Sequence, residues 1–179
     1  HTAAQSIRPI YNLCKMNAKQ VIQNHISKED KYIFAFNELK RILGLSKDIK
    51  KIEAYDVSHI SGDHAVASCV VFSNLGALKK DYRLFNIPET LSGNDVGSLQ
   101  HVLERRIKYY ENPQIKPEVI LIDGGKTQLN FTQSVIDSSE YDDIKLISIV
   151  KGSNRVRATE TILSNNGIIE LEKYSKAYL

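Results

Sequence analysis

The feature that most constrains the fold of this chain is a nearly uninterrupted apolar stretch, AVASCVVF, at residues 65–72. A strand of this kind is expected to be covered on both of its faces. It lies between two further segments with strand character, IEAYDVSH at 52–59 and ALKKDYRLFNI at 77–87. The turns SGDH and SNLG connect the three segments, and this order predicts an antiparallel meander of three strands.

Helical and strand patterns alternate after the meander. They predict a helix over 95–111, a strand over 118–123, a helix over 126–138 and a strand over 144–150, before a final hairpin formed by TETIL and IIEL. The first of these helices is predicted to carry Arg105, Arg106 and Lys108 on its outer face. A meander followed by βα units indicates an α/β fold with a mixed sheet and packed helices.

The N-terminal part has a helical pattern over residues 3–45. A second helix after SKED is predicted to end at Gly44 and to bury Phe34, Leu39, Ile42 and Leu43. The polar linker at 46–51 indicates a boundary. We therefore predict a helical arm over 1–50 and the main domain over 51–179.

Composition excludes several classes of protein. The chain of 179 residues has 25% charged residues and a net charge of +3, which is ordinary for a soluble globular protein. It has no apolar run of the roughly 20 residues that cross a membrane and no secretory signal pattern. Its 2 cysteines are too few for a disulfide scaffold or a four-ligand zinc site. A cytoplasmic location is expected, and the mild positive charge permits a polyanionic partner.

Two aspartates stand out as candidate metal ligands. Strand alternation places Asp56 on the same face as Ile52 and Ala54, where a carboxylate is costly without a compensating partner. Asp123 ends the strand VILID, and ligands of open α/β sheets bind at the carboxyl ends of strands. If the two strands are parallel neighbours, the carboxylates converge, and Mg²⁺ or Mn²⁺ would relieve their repulsion. Asp123 could instead cap the helix beginning near Lys126, and His59 could be a structural histidine.

The turn GGK at 124–126 invites comparison with phosphate-binding loops. Two glycines before a helix can expose backbone N–H groups to an anion. The Walker pattern is absent, however, because Ile120 stands where its first glycine is required. Basic residues on several elements are individually typical of a solvated surface. Their clustering beside the aspartates would indicate a nucleic-acid track.

Four separated blocks make the chain recognisable. They are IEAYDVSHISGDHAVASCVVFSNLGALKKDYRLFNI, VLERRIKYY, PEVILIDGGKTQLN and IVKGSNRVRATETIL. In order and spacing they resemble the C-terminal endonuclease region of the bacterial excinuclease UvrC, over roughly residues 17–179. The resemblance implies an RNase H-like fold and a metal-dependent DNA endonuclease. It implies the 5′ incision beside a lesion in nucleotide excision repair, with damaged double-stranded DNA and the UvrA and UvrB proteins as partners and with no membrane.

The resemblance also assigns roles to individual residues. The family's two catalytic and metal-binding aspartates fall on Asp56 and Asp123. Lys126, Arg83 and Lys151 become candidate phosphate contacts, and Gly124 and Gly125 would allow close approach of DNA. His59 and Tyr82 are expected to support the site without contacting the metal.

One residue of the family's catalytic triad, a histidine in a downstream block of the kind RDEAHRF, has no counterpart before Leu179. We therefore expect a fragment that is truncated at its C-terminus and that is inactive, or nearly so, by itself. The alternative is a non-catalytic DNA- or protein-docking module on the same fold. A nucleotide-dependent enzyme that uses GGK is a further alternative, which the missing Walker glycine disfavours.

Overall fold

An eight-stranded mixed sheet with helices on both faces forms the centre of the described part of the protein. The structure is a computed structural model, and it describes residues 13–17, 28–60, 64–151, 160–164 and 167–170. The strands are β1 (Lys51–Ile60), β2 (His64–Ser73), β3 (Gly76–Ala77), β4 (Arg83–Asn86), β5 (Val119–Asp123), β6 (Lys145–Lys151), β7 (Glu160–Ser164) and β8 (Gly167–Glu170). The helices are α1 (Lys28–Ile42), α2 (Asp95–Ile107) and α3 (Lys126–Asp137), and residues 13–17 are also helical.

The strand order confirms the predicted mixed sheet. The order is β3-β2-β1-β5-β6-β7-β8, and β4 also pairs with β2. Strand β2 is antiparallel to β1, β3 and β4, which gives the predicted meander. On the other side of β1, strands β5 and β6 follow in parallel, and β7 and β8 form the predicted antiparallel hairpin. The two parallel strands beside β1 bring the carboxyl ends of β1 and β5 to the same edge of the sheet.

The prediction of one continuous third strand over 77–87 is wrong. The segment is divided into β3 and β4 by a single 3₁₀ turn at Lys79–Asp81. Three successive charged residues cannot alternate between a buried and an exposed face, as a half-buried strand requires. The N–H of Asp81 donates to the carbonyl of Leu78 at 2.9 Å, which closes the turn.

The two faces of the sheet carry separate hydrophobic clusters. Helices α2 and α3 cover the face that includes Tyr55, Cys69 and Ile122, and α1 covers the face that includes Ile52 and Val119. No helix among the described residues is long and apolar enough to cross a membrane. The domain boundary near residue 50 stays a prediction.

Helix α1 ends as predicted, but its buried side differs by one residue. Gly44 has a φ of 63°, the left-handed conformation that glycine adopts after a helix. Phe34, which the sequence pattern assigns to the buried side, is 43% exposed, and Phe36 is buried in its place. The spacing of Phe36, Leu39 and Leu43 follows one helical stripe, and Phe34 falls on the opposite side.

Helix α2 contains a second correction. The sequence pattern predicts that Arg106 points outward, but this residue is only 5% exposed. It continues the inward stripe of Leu99, Val102 and Leu103 at helical spacing. An arginine can occupy such a position only with a partner for its charge, and that partner is Glu53.

Candidate functional site

Strands β1 and β5 place Asp56 and Asp123 at neighbouring positions of the sheet. The parallel pairing of these strands runs in register up to Tyr55 opposite Ile122. Asp56 and Asp123 are the next residues of their strands. Because neighbouring strands lie about 4.8 Å apart, the two aspartates leave the backbone side by side on adjacent strands.

Alternation along the strands explains why these two carboxylates are exposed. Tyr55 and Ile122 are buried in the cluster beneath α2 and α3. Successive side chains of a strand point to opposite faces, so Asp56 and Asp123 belong to the other face. Both aspartates are exposed to solvent, so a ligand can reach this edge of the sheet.

Two serines form hydrogen bonds at the site, one to the carboxylate of Asp56 and one to the backbone after Asp123. The hydroxyl of Ser58 donates to Oδ2 of Asp56 at 2.8 Å. The hydroxyl of the fully buried Ser148, on β6, donates to the carbonyl oxygen of Gly124. The N–H of Gly124 donates in turn to the carbonyl of Ile149 at 3.3 Å. These bonds anchor the chain directly after Asp123 to the neighbouring strand.

The GGK turn is closed by its own hydrogen bonds. The N–H of Gly125 donates to Oε1 of Gln128 at 2.7 Å, and the N–H of Gly124 is bonded to β6. Neither glycine N–H can serve an anion without losing its present partner. Gly125 occupies the N-cap position of α3.

Gly124 and Gly125 differ in the space around them. A Cβ on Gly125 would meet no atom within 4 Å, whereas a Cβ on Gly124 would lie 2.1 Å from Oε1 of Gln128. The surface at Gly125 is therefore open, and the exposed Lys126 follows it as the first residue of α3.

The donor set at the site fits a hard divalent cation. Among the described residues, no group of three or more His, Cys, Asp and Glu side chains is placed to hold a metal ion. Two neighbouring carboxylates are nevertheless a common protein contribution to a Mg²⁺ site, because water and substrate phosphates complete the coordination. Asp56 and Asp123 are the residues that could supply those two carboxylates.

A match to a family model establishes the family to which this chain belongs. The model described as the UvrC RNase H endonuclease domain matches residues 40–179. The chain belongs to this family. The mixed sheet with parallel strands beside a β meander is accordingly an RNase H-like α/β fold.

Curated relatives of this UvrC-type domain carry the name UvrABC system protein C. The protein from Saccharophagus degradans is 37% identical over 163 residues, which cover 90% of this chain and 27% of the relative. A Coxiella burnetii protein is 36% identical over 151 residues, which cover 84% of this chain and 25% of the relative. The chain therefore spans about a quarter of the length of these relatives.

Solved structures with a similar arrangement include two endonucleases. Ciona intestinalis Endonuclease V, in complex with a 23mer DNA that contains an inosine, has a TM-score of 0.45 and 13% identity, and the match covers 70% of this chain and 66% of that chain. Human Endonuclease V has a TM-score of 0.43 and 16% identity, with coverages of 66% and 60%.

Two of the other predicted residues, Lys126 and Lys151, lie near Asp123 in the turn and on the neighbouring strand. Lys126 follows Asp123 by three residues across the turn. Lys151 is the last residue of β6, two positions beyond Ile149, which pairs with Asp123. His59 lies on β1 three residues after Asp56, and its side chain is outside the described part of the structure, as is that of Lys151.

Arg83 and Tyr82 lie elsewhere. Arg83 pairs with Cys69, which pairs with Tyr55, so Arg83 lies two strands from β1 and on the face covered by α2. Tyr82 ends the 3₁₀ turn before β4 and packs against the cluster under α2 and α3. The structure thus places both residues away from the two aspartates.

Sequence reasoning missed a buried polar network on the reverse side of β1. Glu53 is fully buried, and its carboxylate accepts a hydrogen bond from Nη2 of Arg106 at 2.6 Å and from the hydroxyls of Tyr55 and Tyr110 at 2.6 Å each. Nε of Arg106 donates to the same carboxylate at 3.2 Å. A glutamate between the apolar residues Ile52 and Ala54 was the available signal, since a buried charge requires a partner.

The electrostatics of this network fix the protonation states of Arg106 and the two tyrosines. Burial, together with neighbouring Glu53, raises the pKa of Tyr55 and of Tyr110 well above the usual value for tyrosine. Burial alone would lower the pKa of Arg106, but its hydrogen bonds to Glu53 and the charge of that carboxylate raise it overall. Arg106 therefore stays charged and both tyrosines stay neutral as hydrogen-bond donors.

Proposed function

We propose that this domain hydrolyses DNA phosphodiester bonds with a divalent metal, Mg²⁺ or Mn²⁺, held jointly by Asp56 and Asp123. The observation that carries the proposal is the position of the two aspartates, which directly follow the last registered residue pair of β1 and β5. The family match supports it independently, because it is to an endonuclease domain. A bound divalent metal would supply charge stabilisation at the phosphate and a lower pKa for the attacking water.

The residues of the chain have separable tasks in this proposal. Asp56 and Asp123 bind and position the cation, and Ser58 orients the carboxylate of Asp56 through its 2.8 Å hydrogen bond. Ser148 fixes the carbonyl of Gly124 and so the direction of the chain after Asp123. The open surface at Gly125 admits the sugar-phosphate backbone, and Lys126 and Lys151 provide positive charge for phosphate oxygens.

The biological setting is proposed from the named relatives. They are UvrABC system proteins, so we propose that the domain makes the 5′ incision beside a lesion in nucleotide excision repair. Its partners would be damaged double-stranded DNA and the UvrB protein, with UvrA acting earlier.

A docking module without catalysis is the second candidate. The absence of a group of three metal-ligating side chains among the described residues favours it. This candidate gives the aspartates a structural role and predicts no response of the protein to divalent metal.

Metal-dependent stabilisation separates the two candidates. Binding to the native state alone raises the stability by mass action, so Mn²⁺ should raise the melting temperature of the wild-type chain. The rise should be lost in Asp56→Asn and in Asp123→Asn. The matched control is Asp142→Asn, an exposed aspartate on a loop, which should retain the full rise.

Plasmid nicking in Mn²⁺ provides the catalytic readout. Any Mn²⁺-dependent nicking by the chain alone, which we expect to be weak, should fall to the metal-free background in the double variant Asp56→Asn/Asp123→Asn. Nicking by the double variant at the wild-type rate would remove both aspartates from the mechanism. A wild-type melting temperature that Mn²⁺ does not change would favour the docking module.

A further inference from the structure

A cationic groove lies on the face of the sheet opposite to the aspartates. It runs between β4 and the C-terminal end of α2 and has a volume of about 510 Å³. The cations that line it and are not already paired by Glu53 are Arg83, Arg105 and Lys108, all exposed. We call this the β4–α2 groove.

The charge of the β4–α2 groove is unbalanced. No aspartate or glutamate of the described segments lines it, whereas the cleft between α2 and α3 is lined by Glu104, Glu111 and Glu140. Arg106, which borders the groove, is neutralised by Glu53 at 2.6 Å. The groove therefore presents three positive charges to an anionic ligand.

Asp81, in the turn before β4, forms an ion pair with a lysine that does not line the groove. Asp81 lies 3.4 Å from the ammonium of Lys51, at the start of β1. Its carboxylate therefore pairs with a cation outside the groove.

Two of the groove cations are held in place by the fold. Nη1 of Arg83 donates to the carbonyls of Lys80 at 3.0 Å and Tyr82 at 2.7 Å. The guanidinium of Arg105 lies 5.6 Å from the ring centroid of Phe85, a cation–π distance. Arginines that are fixed before binding lose less conformational entropy when they engage a ligand.

Exposed apolar surface accompanies the charge. Tyr109, which lines the groove, is 60% exposed. An exposed tyrosine ring beside spaced cations is the combination with which proteins bind single-stranded nucleic acid, because bases stack on the ring while cations contact the phosphates. An acidic peptide would use the charges but would gain no stacking on Tyr109.

We infer that the β4–α2 groove binds a single-stranded segment of nucleic acid, separate from the phosphodiester at Asp56 and Asp123. The inference goes beyond the proposed function and shares with it only the nucleic-acid ligand. The groove is two strands from β1 and on the other face, so a duplex lying across the aspartates does not fill it. An unpaired strand that leaves such a duplex could reach around the β4 edge.

Fluorescence anisotropy with labelled oligo-dT of about 12 nucleotides, in EDTA, tests the groove without any metal or catalysis. Arg105→Gln/Lys108→Gln should weaken binding at least tenfold. With three phosphate contacts, a plot of the logarithm of the binding constant against the logarithm of the salt concentration should have a slope near −2. In the double variant one contact remains, so the magnitude of the slope should fall below about 1. Tyr109→Ala should weaken binding by about fivefold or more through lost stacking.

Matched controls exclude general effects of charge and folding. Lys47→Gln/Lys50→Gln removes the same charge from a separate exposed surface that shares no lining residue with the groove and should bind as wild type does. Arg105→Lys should retain most of the affinity, and thermal unfolding should show that each variant is folded.

Unchanged oligo-dT binding by folded Arg105→Gln/Lys108→Gln would overturn the inference. So would equal binding of a poly-glutamate peptide together with no effect of Tyr109→Ala, because that result would assign the groove to an acidic protein partner. The variant Asp56→Asn/Asp123→Asn should still bind oligo-dT in EDTA. A failure of the groove is thus distinct from a failure of the metal site.

Discussion

Glu53 and Asp56 are three residues apart on one strand, yet the fold uses their carboxylates in opposite ways. Glu53 faces the α2 side, is fully buried and accepts bonds from Arg106, Tyr55 and Tyr110. Asp56 faces the other side, is exposed and is oriented by Ser58. The comparison shows that strand alternation alone can divide two acids into a structural role and an accessible one.

The carboxylates of Glu53 and Asp56 also differ in the protein groups that surround them. The partners of Glu53 come from β1, α2 and the segment after α2, so the network joins the central strand to the helical layer. Asp56 lies beside Asp123 of the next strand, where a further cation would relieve the proximity of two negative charges. Substitutions on the two faces should therefore separate stability from function.

The largest effect on stability is expected for Glu53→Gln. The change leaves the charge of Arg106 buried without a counter-charge, which should destabilise the domain by about 3–5 kcal/mol. Chemical denaturation measures this loss. Glu53→Gln/Arg106→Met removes both charges and keeps an oxygen acceptor for the tyrosines. This double variant should therefore regain a large part of the stability that Glu53→Gln loses. A double variant no more stable than the single one would contradict the charge-pair explanation.

The opposite pattern is expected for Asp56→Asn. An exposed substitution should change the free energy of unfolding by no more than about 0.5 kcal/mol. Mn²⁺ affinity should fall by more than about a hundredfold, beyond the effect typical of residues that only support a metal ligand. Titration with Mn²⁺ followed by electron paramagnetic resonance measures the free ion. If Asp56→Asn destabilises the fold as strongly as Glu53→Gln does, the two faces do not have separate roles.

The stability of the domain should fall at alkaline pH because of the buried groups around Glu53. Burial, and then the charge of Glu53, raises the pKa of Cys69 to about 12, and Tyr55 and Tyr110 also have raised pKa values. The folded state therefore holds protons that the unfolded chain releases, so stability should fall as the pH rises above about 9. Melting temperatures between about pH 8 and pH 11 measure the fall. Tyr110→Phe should make the fall shallower above about pH 10, and an identical slope in that variant would contradict this origin.

The smallest effect concerns the thiols. Cys69 is fully buried and Cys14 is exposed. A disulfide reagent at about pH 8 should modify Cys14 rapidly in the native chain and Cys69 only after unfolding, because thiolate and access are both required. Cys14→Ser should abolish the fast phase. A fast phase that survives in Cys14→Ser would show that the buried layer around Glu53 is open to solvent.

The order of elements along the chain could be predicted from the sequence because it depends on local patterns. The sequence placed Asp56 and Asp123 on adjacent strands only on the condition that β1 and β5 pair in parallel, which depends on a contact between distant segments. The apolar run at 65–72 and the strand ending at Asp123 have clear periodicity and clear ends. The division of the third strand at Lys79–Asp81 follows from three successive charged residues, a local signal that the prediction overlooked. The burial of Arg106 depends on a contact between distant segments. Glu53 and Arg106 are 53 residues apart, and neither position alone specifies the pair. Similarly, the sequence indicated Arg83 as a basic residue but not the face of the sheet on which it lies.

The most direct test of the central claim is a crystal structure of the chain soaked in Mn²⁺, with anomalous scattering used to locate the metal. We expect one manganese peak in contact with carboxylate oxygens of both Asp56 and Asp123, at about 2.0–2.3 Å, and no such peak in Asp56→Asn/Asp123→Asn. Manganese bound by only one of the two aspartates, or a peak of equal height in the double variant, would contradict the account.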